Sequence, residues 1–571
     1  MSGREVGTVT RLLTVSAAVA AVLGVAVVWG PLEGTDPSAQ AGTTVAPAAA
    51  AAPVSSVAAE RQSAILTAED ERLLTIVGSI RPGSPPYVQE HDGTRTLVLT
   101  AGGLAYGLSD LIELGAAEVQ PDGVVLLTEH VFVAPGARLI IDAPGTTLRL
   151  RSGISGFVSL VAWKADMTLA GADGQPLTVT SWSSRKRGPD PSPVDGRAYV
   201  RDASGAMELR HVTVSDLGFW SGRTSGVAWT GSSSTEATGA IMGSTFRDNH
   251  YGAFASKAEE LTVIGSDFSD NAVDGLSLHR STAQTVIEDS TARGNGRHGF
   301  SADQGSESVT YTDVTAEKNA AYGIFFSGTP LSDGRSAGGA SLRAYGEVHV
   351  DGGVFRENGK AGLRVVDGDD VTITGTRVAD NTDGIVLVGT AAPTAVQGST
   401  VSGNDRFGIT VSGGEAAVTG NKVSGSETAI RVRDAAVDVV DNNVREATSH
   451  AISVVGASAG STVEENTIGG RGPSGLDVYR VAEGVSIDLA TNDVGGWTRD
   501  RDNWTYWSTF IPNHPMLLLW VLVLGVPVLL GIRARRSAVA PGTKPYGDDI
   551  RREWQPPARV EVGRRTAGGR S

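Results

Sequence analysis

His279 and Asp303 are the two residues of this chain whose types and spacing best suit acid–base chemistry. Each lies four residues after a glycine that opens a short apolar segment, GLSLH at Gly275 and GFSAD at Gly299. Side chains alternate between the two faces of a strand, so the apolar residues point inward and the fourth residue points outward. The related segments GAFAS and GIFFS extend this outward row, which reads Ser256, His279, Asp303 and Ser327.

This row has a specific chemical meaning. A carboxylate beside an imidazole fixes the tautomer of the ring and raises its basicity, as a general base requires. We therefore take His279 and Asp303 as candidate catalytic residues, with Arg280 next in the chain. The alternative is a histidine exposed on a solvated face. The expected substrate contacts are sugar-stacking rings and polar groups on neighbouring segments: Phe254, Ser256, Ser277, Arg297 and Phe325.

The elements that position these residues repeat along the chain. Glycines recur at Gly252, Gly275, Gly299 and Gly323, and again at Gly362, Gly384 and Gly408, at intervals of 22 to 24 residues apart from one insertion. The segments between them are rich in Val, Thr and Ile with period-two alternation. This pattern predicts an all-β protein, a right-handed parallel β-helix over residues 91–497, in which stacking of the coils supplies the core.

Asparagines precede these glycines at regular spacing, at Asn249, Asn271, Asn295, Asn319, Asn358, Asn381 and Asn404. We interpret them as a ladder in one turn of the coil, because an asparagine amide bonds readily to the neighbouring coil. The glycines are expected to provide a bend without Cβ strain.

The composition restricts the remaining function classes. The chain has 571 residues, 73 glycines, no cysteine and a formal net charge of −15. The lack of cysteine excludes disulfides, thiolate metal ligands and a cysteine nucleophile. A net negative charge is unfavourable for nucleic-acid binding. No metal site and no cofactor are expected.

Both ends of the chain are predicted to contact a membrane. Residues 1–32 form a signal peptide or an N-terminal anchor, and residues 33–90 an Ala/Pro-rich linker. Residues 503–532 contain an aromatic belt followed by an apolar run, PMLLLWVLVLGVPVLLGI, long enough for a transmembrane helix. Arginines follow it at once, so the tail 533–571 is expected in the cytoplasm and the body outside the cell membrane. The sequence identifies no partner for this tail.

Residues 157–326 resemble the mannuronan C5-epimerases of the right-handed β-helix type. The resemblance is carried in order by LTVTSW, MELRHVTVSDLGFWSGRTSGVAW, TFRDNHYGAF and DGLSLHRSTAQTVIEDSTARGNGRHG. It implies a β-helix that acts on polyuronates, with a histidine as base and an arginine one coil later that neutralises the uronate carboxylate. His279 corresponds to that base.

The chain departs from the family motif around His279. The family's Asp-Pro-His-Asp reads Ser277-Leu278-His279-Arg280 here, and the segment FSADQG lacks the expected arginine. Arg280 and Arg297 are possible substitutes. Three functions follow: a diverged protein that binds cell-envelope polysaccharide, an active C5-epimerase or lyase with His279 as base, and a structural stalk or adhesion module. The first function is favoured because the two motif aspartates and the arginine are missing. In an active enzyme these groups would supply much of the transition-state stabilisation.

Overall fold

The strands of this chain wind into about 15 stacked turns, which form an all-β parallel solenoid. The computed structural model describes residues 56–330, 344–482 and 489–500, together with Pro527. Most turns contribute one strand to each of three faces, which we call sheets A, B and C. The fold class expected from the repeat of 22 to 24 residues is thereby confirmed.

Sheet A carries the residues singled out above, and its strands pair in parallel from turn to turn after a first antiparallel hairpin. Its strands are Tyr87–His91, Thr94–Leu99, His130–Val133, Ser159–Trp163, Tyr199–Ala203, Val227–Thr230, Ala253–Ser256, Leu276–His279, Phe300–Ala302, Tyr322–Ser327, Ala361–Val366, Asp383–Thr390, Phe407–Thr419, Thr428–Arg433, His450–Gly456 and Leu476–Val481.

Sheet B follows sheet A in each turn, and the long strand Phe407–Thr419 bends from one sheet into the other. The other strands of sheet B are Arg138–Asp142, Asp166–Ala170, Ala206–Arg210, Thr238–Met242, Thr262–Ile264, Ala283–Glu288, Glu307–Thr312, Gly346–Asp351, Asp369–Thr374, Thr394–Gln397, Ala436–Val440 and Thr462–Glu464.

Sheet C closes each turn before the chain returns to sheet A. Its strands are Ala117–Val119, Val125–Leu127, Thr147–Arg151, Leu177–Trp182, Val212–Ser215, Thr245–Arg247, Asp267–Ser269, Thr291–Arg293, Thr315–Glu317, Val354–Arg356, Arg377–Ala379, Thr400–Ser402, Lys422–Ser424, Asn443–Ala447, Thr467–Gly472 and Asp493–Arg499. The inward side chains of all three sheets form one continuous apolar core.

An asparagine ladder holds the turn between sheets C and A, as predicted. The side-chain Oδ1 of Asn295 accepts hydrogen bonds from the backbone N–H and the Nδ2 of Asn271, at 3.1 and 3.0 Å. The same arrangement repeats along the seven predicted asparagines. A second ladder, which the repeat did not reveal, lies between sheets B and C and contains Asn421, Asn442, Asn466 and Asn492.

The strand glycines are required by close approach of the next turn rather than by a bend. Gly275 is not among the residues with positive φ. A Cβ atom at this position would lie 2.6 Å from the carbonyl oxygen of Gly299. The expectation that glycine provides a strain-free bend is therefore corrected: a side chain here would push neighbouring turns apart.

Helix α1, Ser56–Gly78, covers part of the outer face of sheet A. Leu73 and Ile76 pack against Phe132, Val161 and other outward residues of this sheet. The helix lies within the segment 33–90 that was expected to be a linker, and it forms because its Ala-, Glu-, Arg- and Leu-rich sequence favours helix and contains no proline. A short helix α2, Leu108–Glu113, buries Leu111 in the main core.

The predicted membrane segments lie outside the described residues, apart from Pro527. Residues 1–32, 503–532 and the basic tail 533–571 therefore stay predictions. In the part of the chain that the structure describes, no helix combines the length and the apolar character needed to cross a membrane.

Candidate functional site

The outer face of sheet A brings His279 and Asp303 together on consecutive turns. Ser256 is in direct register with His279 on the preceding turn. His279 Nε2 lies 3.8 Å from Asp303 Oδ1 on the following turn. Asp303 directly follows the strand Phe300–Ala302, in which Ala302 is in register with Phe326, so Ser327 continues the row. The structure thus places these four residues in the order that the alternation predicts.

His279 is partly buried, and its environment favours the neutral ring. Burial lowers its pKa, and the charges of Arg280 and Arg297 lower it further, while Asp274 acts in the opposite direction. A raised basicity was expected for this ring, but its pKa is lowered, because burial and the two arginines outweigh the opposing effect of Asp274. The neutral imidazole still has the protonation state that a base needs.

Asp303 is a half-buried carboxyl whose nearest ionisable neighbour is His279. Its side chain is 21% exposed, and Oδ1 accepts no hydrogen bond within the described residues. Burial raises its pKa to about 6, against the opposing charge of Arg297 and with a further increase from Asp274. At 3.8 Å the contact with His279 is too long for a hydrogen bond. The expected hydrogen bond that would fix the tautomer of His279 is therefore absent.

Asp274 organises the polar groups beside His279, and the sequence analysis did not assign it. Arg297 donates to both of its carboxylate oxygens, Nε to Oδ1 at 2.8 Å and a terminal nitrogen to Oδ2 at 2.5 Å. The backbone N–H of His298 and the hydroxyl of Ser301 also donate to it, at 3.0 and 2.8 Å. Burial alone would raise the pKa of Asp274, but the Arg297 guanidinium holds it below its usual value.

The Asp274–Arg297 pair repeats elsewhere on the solenoid. Arg406 donates to both oxygens of Asp383, at 3.0 and 2.6 Å, over the same separation of 23 residues. Each aspartate directly precedes a strand glycine of its turn. An aspartate before a strand glycine, with an arginine 23 residues later, is a pattern that would have predicted this ion pair from the sequence. Its recurrence indicates that the pair helps to hold adjacent turns together.

Arg297 nevertheless reaches the surface. Its side chain is 44% exposed, and its charge lowers the pKa of His279 and acts on Asp303 and Tyr251. Arg280 adopts a left-handed backbone conformation with φ of 48° directly after His279. Of the two arginines considered as substitutes for the family arginine, Arg297 contacts the carboxylate of Asp274 directly, and both charges act on His279.

Phe254 and Ser277 are covered rather than exposed, which corrects their assignment as substrate contacts. Phe254 is only 8% exposed because the turn at Gly222 lies against its ring, where a Cβ atom would approach within 2.2 Å. Its ring centroid is 5.5 Å from that of His279, so it forms a wall of the site. Ser277 is 2% exposed, and its hydroxyl lies 3.0 Å from the Ser301 hydroxyl oxygen, which can accept from it because the Ser301 proton is donated to Asp274.

An aromatic stack borders the site on the next turns. Phe325 is half-buried, and its ring lies parallel to those of His298 and Tyr322, with centroids at 4.9 and 5.7 Å. Burial lowers the pKa of His298 to about 4, so this ring is neutral. Tyr251 lies on the other side, 5.6 Å from Phe254 between ring centroids. Burial and the charges of Asp274 and Asp303 raise the pKa of Tyr251 to about 12, despite Arg297.

These contacts define what the site can do. It presents the neutral imidazole of His279, the protonated phenol of Tyr251 and the guanidinium of Arg297 within one cluster. Asp303 adds a carboxyl whose pKa is raised by burial to about 6. Within the described ranges, no three histidine or acidic side chains gather closely enough to hold a metal ion. The cluster therefore combines a cation with groups that can accept or donate a proton.

Comparisons with known proteins agree with the fold. The family described as "Right handed beta helix region" matches residues 198–333 and 332–468. A crystal structure of a mutant of the periplasmic alginate epimerase AlgG superposes with a TM-score of 0.50 and 15% identity, covering 73% of this chain and 96% of that chain. At this identity the similarity concerns the fold alone.

Two curated proteins are similar in sequence. A mannuronan C5-epimerase from Pseudomonas aeruginosa is 26% identical over 205 residues, 34% of this chain and 36% of that protein. Another, from Pseudomonas putida, is 27% identical over 258 residues, 43% of this chain and 46% of that protein. The chain thus matches less than half the length of either relative. The predicted resemblance to this family is confirmed.

Proposed function

We propose, for a chain whose β-helix resembles that of the mannuronan C5-epimerases, that the outer face of sheet A binds an acidic polysaccharide at His279 and Arg297. The observation that carries this proposal is the exposed Arg297 beside the neutral His279, with the Phe325 stack on the following turn. A uronate carboxylate pairs with the guanidinium while the sugar ring packs on the aromatic surface.

The distribution of charge supports an acidic ligand. Between His250 and Pro330 there are eleven acidic residues, but only Asp274 and Asp303 accompany sheet A. The other nine lie in the strands of sheets B and C or in the turns between sheets, and Asp274 is itself neutralised by Arg297. Lys360 and Arg364 add positive charge on the turn after Tyr322, each 5.7 Å from its ring centroid.

Calorimetric titration of the full-length chain with mannuronate and neutral glucan oligomers tests this proposal. The double variant Arg297→Gln/Asp274→Asn removes the cation without leaving a buried unpaired carboxylate. We expect it to weaken mannuronate binding by about tenfold or more, as for loss of a charge-assisted contact. Arg293→Gln, an exposed change on sheet C, is the matched control and should bind as the wild type does. Equal affinity for neutral glucan would contradict the proposal.

A second candidate function is C5 epimerisation or lysis of a uronate. The arrangement that favours it is a neutral His279 with Arg297 and Tyr251 beside it: His279 would take the C5 proton, Arg297 would stabilise the enolate-like carboxylate, and a donor would return a proton to C5. This function comes second because Arg297 already pairs with Asp274, which weakens its ability to stabilise a substrate carboxylate. NMR of C5 deuterium exchange tests it: exchange lost in His279→Ala supports it, and no exchange in the wild type removes it.

The third function, a structural stalk or adhesion module, is the outcome if no glycan binds to sheet A.

The localisation is a separate proposal, in which the body lies outside the cell membrane and residues 503–532 anchor it. Extraction of membranes at alkaline pH should leave the full-length chain in the pellet and release a variant that lacks residues 503–532. Release of both would contradict the anchor.

A further inference from the structure

A cavity of about 490 Å³ lies on the outer face of sheet A, well apart from His279. Its walls come from helix α1, the turn of the first hairpin and the loop that follows Arg151. The cavity wall includes His130, whose strand lies five turns before the strand of His279 in sheet A. None of the residues assigned to the candidate site lines it.

His130 provides a hydrogen-bonding ring nitrogen at this cavity. It is 4% exposed, and its Nδ1 accepts the backbone N–H of Ser159 at 3.0 Å. The Ser159 hydroxyl oxygen lies 2.8 Å from the same nitrogen. Nε2 makes no hydrogen bond among the described residues, so it is left for a ligand, as a donor or an acceptor according to the tautomer. Burial, with Arg72, lowers the pKa of His130 to about 3, so the ring does not become a cation at physiological pH.

The deep wall of the cavity is held rigidly. Glu69 accepts hydrogen bonds from Tyr199 at 2.5 Å and from Ser159 at 3.1 Å, and it pairs with Arg72 at 2.6 Å. Arg72 also donates to the hydroxyl of Thr96 at 2.8 Å, a hydrogen bond that ties helix α1 to the sheet. These buried bonds fix the positions of wall residues before any ligand arrives.

The cavity also has an apolar wall. Phe157 is half-buried, and its ring centroid lies 5.9 Å from that of His130 and 5.2 Å from that of Phe219. Phe157 is also a lining residue of the cavity. An aromatic ring beside a small number of fixed polar groups is typical of a small-molecule site.

The charges of the lining select the class of ligand. Arg95 pairs with Glu129 at 3.0 Å. The lining contains four carboxylates and three arginines in total, so the cavity has no excess positive charge to attract an anion. A hydrocarbon would leave His130 and the charged groups without partners, which is costly. A neutral ring with many hydroxyl groups satisfies both the polar and the aromatic surfaces.

We propose that this cavity binds a neutral pyranose unit, with its ring face on Phe157 and its hydroxyl groups bonded by His130 and the charged side chains at the rim. The volume lies within the roughly 300–1,000 Å³ usual for small-molecule pockets and admits one or two sugar rings. The site is independent of the His279 cluster, so this chain engages carbohydrate at two places.

Saturation-transfer NMR and calorimetry on the full-length chain in mild detergent test this proposal, with methyl glucoside, methyl mannoside and mannuronate disaccharide as probes. We expect a neutral glycoside to bind with a dissociation constant on the order of a millimolar. Ala68→Trp places a bulky ring at the cavity and should weaken binding by about tenfold or more. Ala64→Trp, one helical turn away and outside the cavity, should bind as the wild type does, as should His279→Ala.

Three results would overturn this inference. The first is no detectable binding of either neutral glycoside up to about 50 mM. The second is tighter binding of the mannuronate disaccharide than of the neutral glycosides in a His279→Ala background. The third is unchanged affinity in Ala68→Trp, since both alanines are exposed positions of α1 where tryptophan leaves the fold intact.

Discussion

Replacing Asp303 with asparagine is expected to stabilise the protein at neutral pH, although it removes a side chain of the candidate site. The carboxyl of Asp303 has a pKa of about 6 in the folded chain, raised from 3.8 by burial. One pKa unit corresponds to about 1.4 kcal/mol, so ionised Asp303 destabilises the fold by at most roughly 3 kcal/mol. Its partial exposure reduces this figure to about 2 kcal/mol.

The pH dependence has a definite sign. A carboxyl whose pKa is higher in the folded state than in the unfolded state causes no loss of stability below about pH 4, where it is protonated in both states. Stability then falls as the pH rises from about 4 to 6 and stays lower above it. Asp303→Asn removes this decrease, so the difference between variant and wild type should be about 2 kcal/mol at pH 7.5 and near zero at pH 3.5.

Urea denaturation at both pH values measures this difference. Asp289→Asn, an exposed change in a turn after sheet B, is the matched control and should change stability by less than about 0.5 kcal/mol. A decrease in stability of Asp303→Asn at pH 7.5, or an equal effect at both pH values, would refute the reasoning. The expected gain would indicate that the buried carboxylate is kept for a purpose other than stability.

Three further predictions concern the scaffold of the site. Arg297→Ala leaves the buried Asp274 without its cation and should destabilise the chain by about 3–5 kcal/mol in urea, whereas Arg297→Gln/Asp274→Asn should recover at least half of this loss. Asn295→Ala removes a ladder amide and should lower the free energy of unfolding by about 2–4 kcal/mol, since several buried polar groups lose partners; a loss below about 0.5 kcal/mol would contradict the ladder. Gly275→Ala should lower the melting temperature, because a Cβ would lie 2.6 Å from the Gly299 carbonyl oxygen, and an unchanged value would show that the turns separate freely.

The solenoid and the row on sheet A could be predicted because both depend on local repetition. The strand glycines and period-two alternation determine which side chains point outward, and register between turns then brings Ser256, His279 and Asp303 together. The asparagine ladder between sheets C and A follows from the same repeat. These features need no information from distant parts of the chain.

The environment of the row could not be predicted in the same way. Phe254 is covered by a turn about 30 residues earlier in the chain, and no period relates the two segments. Alternation assigns Ser277 to the outer face but cannot show that its neighbours cover it. The segment of helix α1 was expected to be a linker, because its packing surface on sheet A exists only after the turns have stacked.

A crystal structure of the protein with a mannuronate oligomer tests the central claim most directly. We predict that the oligomer lies on the outer face of sheet A, with a sugar carboxylate within hydrogen-bond distance of Arg297 and a ring near His279 and Phe325. An oligomer bound on sheet B or sheet C, or a sheet A surface that stays unoccupied at saturating oligomer, would contradict it.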